Sequence, residues 1–115
     1  MKILKIDQHA GFKSGSSLQG YMQASYDELV KKFGEPTLKA ERDGGYDKVW
    51  TEWTLEFEVE DDEGDVDYIY ATIYDWKEKS PEDSRSGQYR WHIGGFSWVA
   101  EDAVGTAFND EVAYA

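Results

Sequence analysis

The segment from Lys48 to Trp76 constrains the fold most, because it is written in a two-residue rhythm on both sides of a short acidic turn. In its first half Val49, Thr51, Trp53, Leu55, Phe57 and Val59 fall on one side, and Trp50, Glu52, Thr54, Glu56, Glu58 and Glu60 on the other. Successive side chains of a β-strand point to opposite faces, so this period predicts a strand with one buried face. In the second half, Val66 to Trp76, Ile69, Ala71 and Ile73 oppose Tyr68, Tyr70, Thr72, Tyr74 and Trp76. The turn Asp61-Asp62-Glu63-Gly64-Asp65 joins the two halves into an antiparallel hairpin.

The remaining segments are shorter and less regular. Lys2 to Ile6 alternates and predicts a short first strand, whereas Asp7 to Gly20 is rich in Gly and Ser and reads as a loop ending in an extended stretch at Leu18 to Met22. Ser25 with Glu28 has capping-box spacing, Tyr26, Leu29, Val30 and Phe33 recur at helical spacing, and Gly34 with Pro36 stops the helix. Glu35 to Asp47 reads as turns, and Lys77 to Gly87 as a mobile loop. Gln88 to Ile93 alternates again and predicts a strand ended by Gly94 and Gly95. Ser97 caps a second helix whose buried stripe is Ala100, Ala103, Val104, Ala107, Phe108 and Val112. This order predicts a single α+β domain over residues 1–115, an antiparallel sheet of about four strands with two helices packed on one face.

Charge separates the two halves of the chain. The formal net charge is -12; residues 1–47 hold seven basic and seven acidic side chains, and residues 48–115 hold five basic and 17 acidic. Such a surface repels nucleic acid and anionic membranes and speeds encounter with basic partners. There is no cysteine, which excludes disulfides, thiolate zinc sites and cysteine nucleophiles. With no long apolar run, basic leader or lipidation pattern, the expectation is a soluble cytoplasmic protein.

Two constellations stand out as binding surfaces. The first is the acidic set Glu52, Glu56, Glu58, Glu60, Asp61, Asp62, Glu63, Asp65 and Asp67. Carboxylates on alternate strand residues sit about 6.6 Å apart, close to every second phosphate of a DNA strand at about 3.4 Å axial spacing. The set therefore suits a basic protein surface built for nucleic acid, although a solvated sheet face accounts for the same acids. The second joins Ser16, Ser17, Gln19 and Tyr21 with Tyr74, Trp76, Arg90 and His92, where aromatic rings stack on a base and a cation meets a phosphate; a buried sheet face is the plain alternative. Glycine spacing fits neither a calcium loop nor a P-loop, so no metal or cofactor is expected. Only His9 and His92 are near-neutral bases and neither adjoins a nucleophile motif, so no catalytic residue is assigned.

Three phrases, GSSLQGYMQASYDELVKKFGEP (Gly15 to Pro36), WTLEFEVEDDEGDVDYIYATIYDWK (Trp53 to Lys77) and YRWHIGG (Tyr89 to Gly95), resemble a group of small phage-encoded proteins of unsettled function. In that group an SLQG segment precedes a short helix, an ATIYDWK hairpin follows, and WHIGG comes last. Where the group has a short turn, this chain carries the acidic run Val59 to Tyr68. The resemblance implies a phage protein acting in the host cytoplasm by binding. The first expectation is a non-enzymatic inhibitor of a CRISPR or restriction complex, an anti-CRISPR-like DNA mimic whose partner is a basic host protein rather than nucleic acid or membrane. A binder of a nucleotide or cyclic nucleotide immune signal is the alternative, and a small interaction protein with no inhibitory role is the third.

Overall fold

The computed structural model describes residues 1–8, 15–41 and 48–110. Its centre is the expected hairpin: β4 (Thr51–Glu60) pairs antiparallel with β5 (Val66–Tyr74) without a break in register, from Glu52 opposite Tyr74 to Glu60 opposite Val66. Trp53, Leu55 and Phe57 are fully buried, as the alternation requires. Around the hairpin lie β1 (Lys2–Gln8), β2 (Ser17–Ser25), β3 (Leu38–Lys39) and β6 (Gln88–Gly95). The sheet order is β1-β4-β5-β6-β2, with β3 beside the start of β4, and every pairing is antiparallel.

Among the described residues the sheet thus has six strands rather than about four, and there are three short helices rather than two. The α+β class stands. The two extra strands carried weak signals: β3 has two residues, and β2 runs through Gly20 with only Ala24 fully buried. The segment read as a loop to Gly20 is strand from Ser17, and Gly94 and Gly95 belong to β6 instead of ending it. Gly95 lies where α3 (Val99–Asn109) crosses the strand, and a Cβ there would come 2.4 Å from the Ala100 Cβ. No larger residue fits this approach.

The helices pack on the Trp53–Leu55–Phe57 face. Helix α1 (Tyr26–Phe33) starts in the expected capping box, Glu28 N–H donating to Ser25 Oγ and Ser25 N–H to the Glu28 carboxylate. These bonds, with one from Gln88, hold the Glu28 carboxyl below its ordinary pKa. Phe33 meets Phe57 edge-on, Tyr26 tilts against Trp53, and Trp53 meets Trp91 edge-on. Both buried indoles are satisfied, Trp53 donating to Gly34 O and Trp91 to Ala24 O. Helix α3 buries Ala100, Ala103, Val104 and Ala107, with Phe108 partly buried; Val112 lies outside the described residues. Ser97 precedes the helix by two residues and accepts from Val99 N–H, the N-cap position being Trp98. No helix among the described residues is long and apolar enough to cross a membrane.

The Lys77 to Gly87 segment departs from its expectation. It contains α2 (Glu82–Arg85), and Pro81 and Ser84 are buried. The anchor is Asp75, whose Oδ1 accepts from Trp50 N–H and Thr51 N–H while Oδ2 accepts from Ser84 Oγ. Arg85 donates to Thr51 Oγ1, to the carbonyls of Ala40 and Trp50, and to Glu41 at 2.7 Å. A hydrophilic stretch is therefore fixed by buried polar bonds, which hydropathy does not register. Burial raises the Asp75 carboxyl above its ordinary pKa against the opposing pull of those donors.

Candidate functional site

The face of the sheet opposite α1 and α3 carries both predicted constellations, at different ends. Toward the hairpin turn Glu56, Glu58 and Glu60 stand on alternate residues of β4. Their neighbours on β1 are Asp7, Lys5 and Lys2; on β5 they are Tyr70, Tyr68 and Val66. Tyr68 Oη donates to Glu58 Oε1 at 3.1 Å. Hydrogen bonds to the Glu58 and Glu56 carboxylates, which hold the phenol protons, raise the pKa values of Tyr68 and Tyr70, and the like charge that ionisation would create beside each carboxylate adds to this.

The remaining acids do not extend this row. Glu52 is 7% exposed, because the sheet is covered on both faces at that point. Asp67 pairs with Val59 and shares the opposite face, since residues directly across a ladder point the same way. Asp61 holds the turn together: its Oδ1 accepts from Glu63 N–H and Asp65 N–H, each at 2.9 Å. Asp62, Glu63 and Asp65 are exposed at the tip. Nine acids that looked like one strip thus divide into a row of three, an exposed tip, a structural aspartate, a buried glutamate and an outlier on the far face.

At the other end, residues distant in sequence come together. Tyr74 lies 5.4 Å from the His92 ring at 31°, and Trp76 lies 6.1 Å from Tyr74 at 77°. Tyr21 meets His92 edge-on at 5.0 Å, and the Arg90 guanidinium lies 3.7 Å from the Tyr21 ring centre. Beside them is a cavity of about 180 Å³ lined by Ser16, Ser17, Val49, Glu52, Thr72, Tyr74, Trp76 and Gly94. Four residues of the second constellation therefore line one cavity, while Tyr21, Arg90 and His92 stack alongside it. Gln19 is different: its amide donates to Gly95 O and Ser17 Oγ and ties the bulged start of β2 to β6.

Electrostatics differ between the two ends. Burial, then the nearby Arg90, lower the His92 pKa, so the ring is neutral at pH 7; its Nδ1 is buried with no hydrogen-bond partner among the described residues. Burial and the Glu52 carboxylate raise the Tyr74 phenol. Tyr89 Oη donates to Glu78 and accepts from Trp76 N–H, fixing the backbone that carries the indole.

Sequence reasoning missed Val49, Thr72, Gly94 and the cations beside Trp76. One signal was present in the Gly94-Gly95 pair: a Cβ on Gly94 would fall 2.5 Å from Thr72 Oγ1 and 3.3 Å from the Tyr74 ring, so glycine lets that ring lie against β6. The residues 9–14, with His9 and part of the Gly/Ser-rich segment, lie outside the described residues. In comparisons with family models, with curated proteins and with solved structures, nothing matches this chain.

Proposed function

We propose that this chain is a non-enzymatic, phage-encoded inhibitor of a host defence complex of the restriction or CRISPR kind, docking the turn end of its hairpin on a basic surface that normally holds nucleic acid. The observation that carries the reading is the row Glu56, Glu58 and Glu60 on the helix-free face, continued by exposed Asp62, Glu63 and Asp65 at the tip. A strand rises about 3.3 Å per residue, so its carboxylates recur at fixed intervals of about 6.6 Å, as mimicry of a phosphate row demands. Tyr68 on Glu58 adds a phenol to that surface, and tyrosine is enriched where protein interfaces concentrate their energy. The same charge speeds encounter, at a rate that falls as salt screens it.

The test is capture of partners from host lysate by the tagged protein at low and high salt. A nucleic-acid-binding complex, released by salt and competing with DNA or RNA for the same surface, is expected. The matched variant changes Glu56, Glu58 and Glu60 to Gln together with Asp62 to Asn; Asp61 is left intact because its loss would damage the turn itself. Affinity equal to wild type in this variant defeats the reading.

A further inference from the structure

The hairpin projects beyond the rest of the sheet on one side. β6 pairs with β5 only from Ala71 to Tyr74 and ends at Gly95, so among the described residues Val66 to Tyr70 have no strand there. The step leaves a groove of about 390 Å³ between the hairpin and the start of α3, within the roughly 300–1,000 Å³ of ligand sites. Its apolar lining comes from Met1, Val59, Val66, Ile69 and Val99. A second hollow of about 220 Å³ shares Asp67, Ile69 and Val99 with it and adds Tyr68 and Phe96. Met1, Val66, Tyr68 and Phe96 are each more than 40% exposed. Charge alone would guard a projecting edge from pairing. Open apolar side chains gathered at a groove instead mark a binding surface.

The rim of the groove is acidic. Glu60, Asp61, Asp62, Asp65 and Asp67 line it, and among the described residues no lysine or arginine does. Asp67, which the strand directs to the far face, here rejoins the acids of the turn. Asp61 Oδ1 is taken by the turn amides and Asp67 Oδ1 by Tyr68 N–H. The carboxylates of Glu60, Asp62 and Asp65 hold no hydrogen bond or ion pair among the described residues, so they are open to cations. An apolar floor inside a ring of carboxylates complements a bulky apolar side chain flanked by Lys or Arg. We infer that this groove holds a basic segment of the partner protein, with one apolar side chain on Val66, Ile69 and Val99 and the flanking cations on Glu60, Asp62 and Asp65. The inference deepens the reading above and rests on it for the partner's identity. A phosphate-row mimic draws on charge, which salt weakens. An apolar anchor keeps its strength in salt and is a contact that nucleic acid at the same surface does not make.

The experiment titrates the full chain with two synthetic peptides, acetyl-Lys-Arg-Leu-Lys-Arg-amide and the same peptide with glycine in place of leucine, by calorimetry at low and high salt. The leucine peptide binds about tenfold tighter than the glycine peptide, as burial of most of one leucine side chain predicts. That ratio persists at high salt while both affinities fall. Val66→Thr with Val99→Thr keeps the branching of two side chains that are not part of the buried core, and it lowers the ratio to about twofold or less. Glu60→Gln with Asp65→Asn weakens both peptides and leaves the ratio. Three results overturn the inference: no binding of the leucine peptide at about 1 mM, equal affinity for the two peptides, or an unchanged ratio in Val66→Thr with Val99→Thr. Glu56→Gln with Glu58→Gln alters the row alone, weakening capture of the host complex while both peptides bind as to wild type. Unaltered capture by that variant, with the peptide ratio intact, defeats the reading of the row and leaves the groove standing, so the two fail separately.

Discussion

The two ends of one sheet face were built from opposite kinds of sequence. The turn end comes from a contiguous run, Glu56 to Asp67, and the structure disperses it. The aromatic end comes from residues 16–17, 48–52, 72–76 and 90–94, and the structure gathers it. The difference follows from strand geometry. Alternation sends neighbouring residues to opposite faces, as it does Asp67 and Tyr68, while ladder pairing places Tyr74 beside His92 and Glu52. A run of like residues along a strand is therefore a poor guide to a surface, and cross-strand register is a better one.

The largest effect expected on this contrast comes from the polar anchor beneath the aromatic end. Asp75→Ala leaves the amides of Trp50 and Thr51 and the Ser84 hydroxyl without their acceptor. The expected loss is about 3–5 kcal/mol in denaturant unfolding, whereas Asp62→Asn at the exposed tip changes stability by no more than about 0.5 kcal/mol. Comparable small losses from both would mean that the anchor does not distinguish the two ends. Asp75→Asn keeps an acceptor oxygen for the two amides and tests charge separately. Because burial raises the Asp75 pKa in the folded state, the native protein holds this proton more tightly than the unfolded chain. The group's contribution is thus most favourable below the ordinary carboxylate value, declines as pH rises to the raised value, and is constant above it. Wild type minus Asp75→Asn should show that decline, and a rise with pH would contradict it.

Gly94→Ala sharpens the comparison with a smaller perturbation. The added methyl meets Thr72 Oγ1 and the Tyr74 ring, so it costs about 1–3 kcal/mol and moves the wall of the aromatic cavity. The turn end contains no such contact at Gly64, where a Cβ would meet nothing within 4 Å, although the φ of 85° there still disfavours alanine. Spectral change confined to the tryptophan environment in Gly94→Ala, and absent in Gly64→Ala, is the expected signature in near-ultraviolet circular dichroism.

Much of the fold was legible because several local signals agreed: the two-residue period of β4 and β5, the Ser25 and Glu28 capping box, and the alanine stripe of α3. What escaped was held by tertiary bonds. The α2 segment has no apolar period, and its docking depends on Asp75, nine residues before Ser84 and just past the end of β5. β2 is an edge strand flanked by polar residues, so alternation in it is faint. The members of the aromatic site were legible as residue types, but Glu52 was read with the acids; only the register that sets it opposite Tyr74 reassigns it.

β2 raises the finest test, because among the described residues it is an open edge of the sheet and residues 15–26 carry no charged side chain. A long uncharged edge invites pairing with another chain. Here the protection comes from elsewhere in the sequence: Glu101 on α3 accepts from Tyr21 N–H at 3.2 Å, Glu28 on α1 accepts from Ser25 N–H at 2.9 Å, and a bulge interrupts the strand between Leu18 and Gly20. Tyr21 and Ser25 are four residues apart and therefore direct their amides to the same side of the strand. Glu101→Ala frees one of these amides and removes a charge from the edge. Its stability should change by about 0.5 kcal/mol or less, while sedimentation shifts toward dimers relative to wild type. Glu101→Gln retains an oxygen that can accept from Tyr21 N–H, so it should sediment as wild type if the bond is what guards the edge, and with the alanine variant if the charge is. An alanine variant that sediments as wild type would leave the bulge and the Glu28 bond to Ser25 N–H as the sufficient barrier.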